Sequence, residues 1–229
     1  MALALGAAGA RVALVARDQA RLKETASEVQ QRGGEADIFV ADVTDEAQVR
    51  ETERAVLERF GPAHILINNA GMNIRKDAPD FSLAEWNAIL STNLTSAFLL
   101  CRSFVPHMKG LGYGRIVNMT SIMSHVSMPQ RSAYSASKAG LLGFTRALAL
   151  ELAPEHICVV AISPGPFATE MNLPILNDPE KNAQFTASIP IAQWGKVEDI
   201  GQLALFLCSE HAAFITGTDI LIDGGWCAR

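Results

Sequence analysis

The segment Tyr134-Ser135-Ala136-Ser137-Lys138 is the part of the sequence from which the rest is interpreted. The candidate N-cap Ser132 precedes it, leucines follow at helical spacing and Pro154 ends the pattern, which predicts a helix over 132–152. Residues four apart share a helix face, so the phenol of Tyr134 lies near the ammonium of Lys138. A nearby cation stabilises a phenolate, which otherwise forms only near about pH 10. The pair therefore predicts acid–base chemistry, although surface helices also carry such pairs.

A serine precedes this helix at a position that favours a ligand site. Ser121 directly follows the apolar run 115–120, which reads as a buried strand. Open α/β sheets bind their ligands at the carboxyl ends of the strands. Ser121 is therefore a candidate site residue, and an ordinary turn serine is the alternative.

Composition and charge limit the classes of function. Of the 229 residues, 49% are apolar and 19% are charged, with a formal net charge of −5, which predicts one soluble domain over 1–229. No basic cluster predicts nucleic-acid binding, and no apolar run is judged long enough to cross a membrane. The first residues lack the basic region of a signal peptide. Four scattered cysteines without a Cys-x-x-Cys pair predict reduced thiols in the cytoplasm and no metal site.

The order of apolar and helical segments predicts an α/β fold with a parallel sheet and helices on both of its faces. Strands are expected over 12–16, 36–40, 64–68, 115–120, 157–163 and 218–222. Helices are expected over 17–32, 46–60, 132–152 and 197–208, with two more between 83 and 108. An irregular lobe is expected from 164 to about 192.

The motifs at the strand ends together resemble the short-chain dehydrogenase/reductase family over essentially the whole chain. They are Asn68-Asn69-Ala70-Gly71, the set Asn93, Ser121, Tyr134 and Lys138, Pro164-Gly165 with Thr169, and Asp223-Gly224-Gly225. The resemblance implies a Rossmann-type, doubly wound parallel sheet in three layers. It also implies an NAD(P)-dependent oxidoreductase that moves a hydride between nicotinamide and a small carbonyl compound or secondary alcohol.

The resemblance also implies the roles of four catalytic residues. Tyr134 would exchange a proton with the substrate oxygen, which Ser121 would hold. Lys138 would lower the pKa of Tyr134 and bind the nicotinamide ribose. Asn93 would support a water chain to Lys138, and a plain structural hydrogen bond is its alternative.

The coenzyme is expected to lie along the same edge of the sheet. The resemblance implies that Asn69, Ala70 and Gly71 run beneath it, where glycine permits close approach. Pro164, Gly165 and Thr169 would flank the nicotinamide amide, and Asp42 and Val43 would border the adenine. NAD-binding members place an acidic residue after the strand 12–16, whereas this chain has Ala16 and then Arg17. A guanidinium suits a 2′-phosphate, so NADP is favoured, with NAD as the alternative.

The N-terminal segment departs from the family pattern, which begins with a strand and a Gly-rich turn. Residues 1–5 resemble the tail of the helix that follows that turn, and Gly6-Ala7-Ala8-Gly9 leads into a strand instead of opening a helix. We therefore expect a sheet that lacks the first, central strand of the family, so that the strand 12–16 has lost its usual neighbour. We also expect that the sequence starts later than the family pattern does.

Several interpretations of the substrate and the assembly remain open. His125, Met123 and Phe167 are candidate substrate contacts, with a surface-loop histidine as the alternative for His125. The lobe 163–174 resembles members that act on gluconate and related sugar acids, and 3-oxoacyl-carrier-protein reductases are the second substrate class. A non-catalytic relative that serves as an oligomer partner is a further alternative. Family members commonly form homotetramers, or homodimers, here through 93–109, 132–152 and 218–222, with interface residues Leu99, Leu100, Leu141 and Phe144.

Overall fold

The computed structural model describes residues 1–169 and 172–228 and contains six strands and nine α-helices in that part of the chain. The strands are β1 Arg11–Ala16, β2 Glu35–Val40, β3 Ile65–Asn68, β4 Gly114–Met119, β5 Ile157–Pro164 and β6 Asp219–Ile222. The helices are α1 Ala2–Ala7, α2 Gln19–Gln31, α3 Glu46–Phe60, α4 Leu83–Leu90, α5 Ser96–Met108, α6 Ser132–Leu152, α7 Leu173–Leu176, α8 Pro179–Ala187 and α9 Val197–Leu207.

All strand pairs are parallel, but they form two separate ladders. β1 pairs with β2, and a second sheet has the order β3-β4-β5-β6. Within the described residues no ladder joins β1 to β3, so β1 has a single hydrogen-bonded neighbour, as the sequence predicts. The carboxyl ends of all six strands still point the same way, which gathers the following loops along one edge.

Helices cover both faces of the sheets, which confirms the predicted three layers. On β4, Ile116 packs with α5 and α6, whereas Val117 faces α1 and α9. Val159 and Val160 of β5 alternate in the same way, because successive side chains of a strand point to opposite faces. Helix α3 packs beside α5, and α2 covers β1 and β2. The buried strands β4 and β5 thus fix the positions of Ser121 and Pro164 at the carboxyl edge of the sheet.

Two local predictions need correction. Helix α6 begins at Ser132 itself, its N-cap is Arg131, and no side-chain bond caps it. Part of the lobe 164–192 is helical rather than irregular, since α7 and α8 lie in it. Asp178 accepts a hydrogen bond from the backbone of Lys181 and begins α8, a capping signal that the surrounding polar sequence obscured.

The expectation that no apolar segment is long enough to cross a membrane was wrong, if length and composition are the only criteria. Leu83–Met108 forms one helical stretch of 26 residues that is apolar enough to cross a membrane, and 56% of its most apolar window is buried inside the fold. Met108 and Leu99 belong to the apolar core. The stretch therefore packs as a core helix, and its hydrophobicity is explained by burial against β3, β4 and α3.

Candidate active site

The first functional group is the phenol of Tyr134, in the first turn of α6. Ser121 lies at the carboxyl end of β4, and its side chain forms a hydrogen bond with the phenol of Tyr134. The predicted serine–tyrosine pair is therefore formed. Burial raises the pKa of Tyr134, whereas the Ser121 hydroxyl and the positive charge of Arg131 lower it. The hydroxyls therefore meet in a partly desolvated place, where a proton donor is useful.

The ammonium of Lys138 does not contact the phenol oxygen of Tyr134 as the sequence predicts, but bonds to the backbone of β4. It lies 5.7 Å from the centre of the Tyr134 ring and donates to the backbone oxygen of Met119 at 2.6 Å. The side chain is almost fully buried, and burial lowers the pKa of Lys138 to about 8. In this structure the cation that favours the tyrosinate is Arg131, not Lys138. The predicted effect of Lys138 on the pKa of Tyr134 is therefore not seen here.

Asn93 reaches the site because the helix between α4 and α5 widens into a π-helical turn, Ser91–Thr95. Such turns are frequent at functional sites. The buried Asn93 amide accepts from the Met72 N–H at 2.7 Å and donates to the Met72 carbonyl and to Ser137 Oγ, each at 2.9 Å. Asn93 therefore ties the loop after β3 to α6 at the turn that carries Lys138.

We expect Asn93→Ala to destabilise the fold by about 2 kcal/mol. The change removes three hydrogen bonds and leaves the Met72 N–H and carbonyl without their side-chain partner, each worth about 1–3 kcal/mol when buried, whereas Ser137 Oγ keeps its bond to the Tyr134 oxygen. Urea unfolding measures the effect, with Asn87→Ala on the exposed face of α4 as the matched control. Equal stability of the two variants would show that the amide does not organise this loop.

Two glycines of the predicted coenzyme contacts lie where backbone and cofactor could approach closely. A Cβ on Gly71 would stand 3.5 Å from Lys138 Nζ and 3.6 Å from Asn93 Oδ1. A Cβ on Gly165 would meet Asp223 Cβ at 2.6 Å, so only glycine fits between β5 and the loop after β6. Asn69 and Ala70 are exposed beside Gly71 at this edge. Pro164 ends β5 and Thr169 follows in the exposed loop.

The other end of the edge holds the predicted nucleotide residues. Arg17 follows β1, is 78% exposed, and lies 3.6 Å from a carboxylate oxygen of Asp42. Hydrogen bonds from Thr44, and more weakly the Arg17 charge, lower the pKa of Asp42. Val43 packs against the α3 core, and Gly9 stands in the turn that leads from α1 into β1. Arg17 and Asp42 are therefore neighbours, as a shared adenosine site requires.

A cavity of about 340 Å³ opens in front of Ser121 and Tyr134. Met123 and Gly165 line it, together with residues of the following lobe. His125 does not; its Nε2 is 2.6 Å from Asp219 Oδ2, a carboxylate that also accepts from Ser163 at 2.5 Å. Phe167 lies in the apolar core and packs on Gly195. Of the three candidate substrate contacts, the structure brings only Met123 to the cavity.

Sequence reasoning missed several cavity residues. Arg75 and Arg131 are the charged ones, Asn73 is polar, and Phe185 and Trp226 add aromatic surface. Arg131 stands three residues before Tyr134, so helical spacing could have identified it. The described ranges 1–169 and 172–228 hold no group of three or more His, Cys, Asp or Glu arranged for a metal ion.

Comparisons with known proteins agree with this geometry. The family model described as enoyl-(acyl carrier protein) reductase matches residues 1–227. The 2-dehydro-3-deoxy-D-gluconate 5-dehydrogenase of Bacillus subtilis is 38% identical over 72% of this chain and 65% of that protein. The 3-oxoacyl-(acyl-carrier-protein) reductase of Aquifex aeolicus is 39% identical over 70% of this chain and 64% of that protein. The match thus spans slightly less than two thirds of the length of these two relatives.

A solved structure extends the likeness to the whole chain. The gluconate 5-dehydrogenase of Burkholderia cenocepacia, in complex with NADP and tartrate, is 29% identical with a TM-score of 0.93. The alignment covers 100% of this chain and 90% of that one. The fold is that of the Rossmann-type oxidoreductases, and the chain belongs to the short-chain dehydrogenase/reductase family.

Proposed function

We propose that this protein is an NADP-dependent oxidoreductase that interconverts a small carbonyl compound and the corresponding secondary alcohol. The observation that carries the proposal is the cavity in front of Tyr134 and Ser121, which also reaches Gly165 at the end of β5. One cavity thus joins a proton donor, a hydroxyl that can hold an oxygen, and the predicted nicotinamide edge. The relatives named above are dehydrogenases and reductases.

The residues present fit a nicotinamide coenzyme, since Gly71 permits close approach at this edge and Lys138 lies beside Gly71. The coenzyme supplies or accepts the hydride when it is bound. Tyr134 donates a proton to the substrate oxygen in reduction and accepts one in oxidation, while Ser121 hydrogen-bonds the same oxygen. Lys138 would bind the nicotinamide ribose, and Asn93 would hold the loop that carries Gly71. Asn69, Ala70, Pro164 and Thr169 complete the proposed coenzyme contacts.

We infer that the coenzyme is NADP, with NAD as the alternative. Arg17 stands after β1 where NAD-binding members have an acidic residue, and its exposed guanidinium can reach a phosphate. The Burkholderia relative is solved with NADP. Asp42 neutralises part of the Arg17 charge, and it is the residue with which a 2′-phosphate would compete.

We expect Arg17→Ala to raise the Kd for NADPH at least about tenfold while the Kd for NADH changes less than threefold. Charge-assisted bonds to phosphate contribute about 1.5–3 kcal/mol, which sets this scale. Fluorescence titration of both coenzymes measures it, and Arg32→Ala on an exposed turn serves as control. Equal losses for the two coenzymes would refute the assignment of Arg17.

The substrate class proposed for this site is a sugar acid such as gluconate. Two similar proteins act on gluconate or a deoxy relative of it. Reduction of 3-oxoacyl-carrier-protein substrates is the second candidate, favoured by the Aquifex relative. A non-catalytic binding role is disfavoured because Ser121 and Tyr134 are hydrogen-bonded to each other at the cavity, with Lys138 Nζ 5.7 Å from the centre of the Tyr134 ring.

We propose that the protein is cytoplasmic and that it assembles as a homotetramer or a homodimer. The four thiols are free, which suits a reducing compartment. Leu99, Leu100 and Leu141 are buried within the single chain, so the core already uses them. The exposed apolar residues include Phe98 on α5, Leu150 on α6, Phe206 on α9, Phe214 after α9 and Leu221 on β6. These residues, with the partly buried Phe144, give the helices and β6 an apolar surface that a second copy could cover.

Absorbance of NADPH in the presence of small oxo acids tests the proposed activity. We expect substrate-dependent oxidation that follows saturation kinetics. If oxo acids, oxoacyl thioesters and simple ketones all leave NADPH unchanged, the proposed function is wrong.

A further inference from the structure

We propose that Arg75 and Arg131 form a carboxylate-binding subsite, so that the substrate is a small hydroxy acid or the matching oxo acid. The inference rests on the proposed function, because it concerns the cavity in front of Tyr134. The juxtaposition of two guanidinium groups with Ser121 and Tyr134 in that cavity carries it.

Within the ranges 1–169 and 172–228, the two arginines have no acidic partner. None of the described residues that line the cavity is acidic, and neither arginine forms an ion pair with a described residue. The hydrogen bond shown for Arg75 is a long contact of 3.4 Å, from Nη2 to Asn172 Oδ1. Arg131 Nη1 is buried and has no hydrogen-bond partner among the residues described. A buried guanidinium donor without a partner is unusual, and a bound carboxylate would satisfy it.

The charges also lie close enough to act together. Burial lowers the pKa of Arg131, and the like charge of Arg75 lowers it further. Two neighbouring cations repel each other until an anion lies between them. A carboxylate accepts two parallel bonds from a guanidinium, which fixes its orientation as well as its position.

Arg131 lies close to the reacting group. It is the N-cap of α6, three residues before Tyr134, and the charge of each group shifts the pKa of the other. Both residues line the same cavity. A carboxylate bound at Arg131 would therefore lie near the carbon that reacts beside Tyr134, as a small acid requires.

The rest of the cavity suits a hydroxylated chain. Asn73 Oδ1 is buried without a partner among the residues described, and it can accept a bond from a substrate hydroxyl. Phe185 and Trp226 pack with their ring centres 5.5 Å apart and their planes tilted by 31°, and they supply an apolar wall. A volume of about 340 Å³ accommodates a compact acid better than a steroid or a long acyl chain.

Calorimetric titration of the protein saturated with NADP⁺ tests the subsite without requiring turnover. The probes are D-gluconate, L-tartrate and D-3-hydroxybutyrate, each compared with its uncharged amide. We expect at least one acid to bind about tenfold or more tightly than its amide. Arg75→Gln and Arg131→Gln should each remove at least about tenfold of the affinity for that acid and less than threefold of the affinity for the amide.

Controls separate this effect from unfolding and from a loss of the coenzyme. Arg54→Gln, on the exposed side of α3, removes the same charge elsewhere and should leave the affinities unchanged. The Kd for NADP⁺ should stay constant in all variants. If Arg131→Gln does not fold, the exposed Arg75→Gln carries the test.

Three outcomes overturn the subsite: no acid is preferred to its amide, the variants lose acid and amide equally, or D-glucitol 6-phosphate binds better than all three acids. The subsite and the activity can fail separately. Acid binding without conversion of NADP⁺ would refute the proposed function alone, whereas NADPH-dependent reduction of neutral ketones without a preference for acids would refute the arginine subsite alone.

Discussion

Tyr134→Phe should lower kcat by about 10²–10⁴-fold, because it removes the group that exchanges a proton with the substrate oxygen. The phenylalanine ring keeps the packing of the first turn of α6, so the fold should persist. Ser121 would still hydrogen-bond the substrate oxygen, but no proton donor with a suitable pKa would remain beside it. The Kd for NADPH should change less than threefold, since the hydroxyl is proposed to act on the substrate. Steady-state assays and fluorescence titration measure the two effects.

The second tyrosine of the chain provides the matched control. The hydroxyl of Tyr113 donates to the backbone oxygen of Cys208, away from the cavity. Tyr113→Phe makes the same chemical change there, and it should alter stability rather than kcat. A Tyr134→Phe variant that retains more than about a tenth of the wild-type kcat would exclude Tyr134 as the proton donor.

Lys138→Met should lower kcat by about 100-fold and also raise the Kd for NADPH. The two effects together distinguish Lys138 from Tyr134, because the ammonium is proposed to bind the coenzyme ribose and so to place the nicotinamide for hydride transfer. The effect on kcat has the scale of lost acid–base assistance. Lys23→Met, on the exposed face of α2, is the control. Unchanged coenzyme affinity in Lys138→Met would contradict the proposed ribose contact.

The same variant should change how stability depends on pH. Burial lowers the pKa of Lys138 in the folded protein from 10.5 to about 8. Between these values the unfolded chain binds the proton and the folded chain releases it, so the free energy of unfolding rises with pH in this range. The penalty for burying the charge is complete below pH 8. The pKa difference corresponds to about 3 kcal/mol.

Urea unfolding at pH 7 and pH 10.5 measures this linkage. Wild type should gain about 3 kcal/mol relative to Lys138→Met between the two pH values. The comparison must be relative, because burial also raises the pKa of Cys101 to about 12, and that thiol destabilises the folded state as pH rises above 9. If the free energy of unfolding changes equally with pH in both proteins, the pKa of Lys138 is not lowered by burial.

Local sequence signals predicted the frame of the molecule because the central strands β4 and β5 are buried on both faces. The run 157–163 is apolar except for Ser163, and 115–120 holds three apolar residues. Alternation with amphipathic helices leaves a parallel sheet as the natural arrangement. Ser121, Tyr134 and Lys138 were found because their positions follow a strand end and helical spacing, whereas the role of Asn93 was implied by the family resemblance. Proximity of Ser121 and Tyr134 then results from the register of β4 and the start of α6.

The parts that sequence reasoning missed depend on long-range contacts. His125 was expected at the substrate mouth, but Asp219 lies 94 residues further along the chain and engages it. Phe167 was taken for a cavity residue, yet the space above Gly195 accepts its ring into the core. Arg75 and Arg131 gain significance only when α6 and the loop after β3 are folded together. No local pattern shows that the described part of the chain offers these two arginines no acidic partner.

Transfer of deuterium to the product tests the central claim most directly. The protein is incubated with NADPH that carries deuterium at both C4 positions of the nicotinamide and with an oxo acid, such as 5-oxo-D-gluconate, and the product is examined by mass spectrometry. We predict one deuterium on the carbinol carbon of the hydroxy acid, and a rate that falls by about 10²–10⁴-fold in Tyr134→Phe. A product without deuterium, or an equal rate in Tyr134→Phe, would contradict hydride transfer at this site.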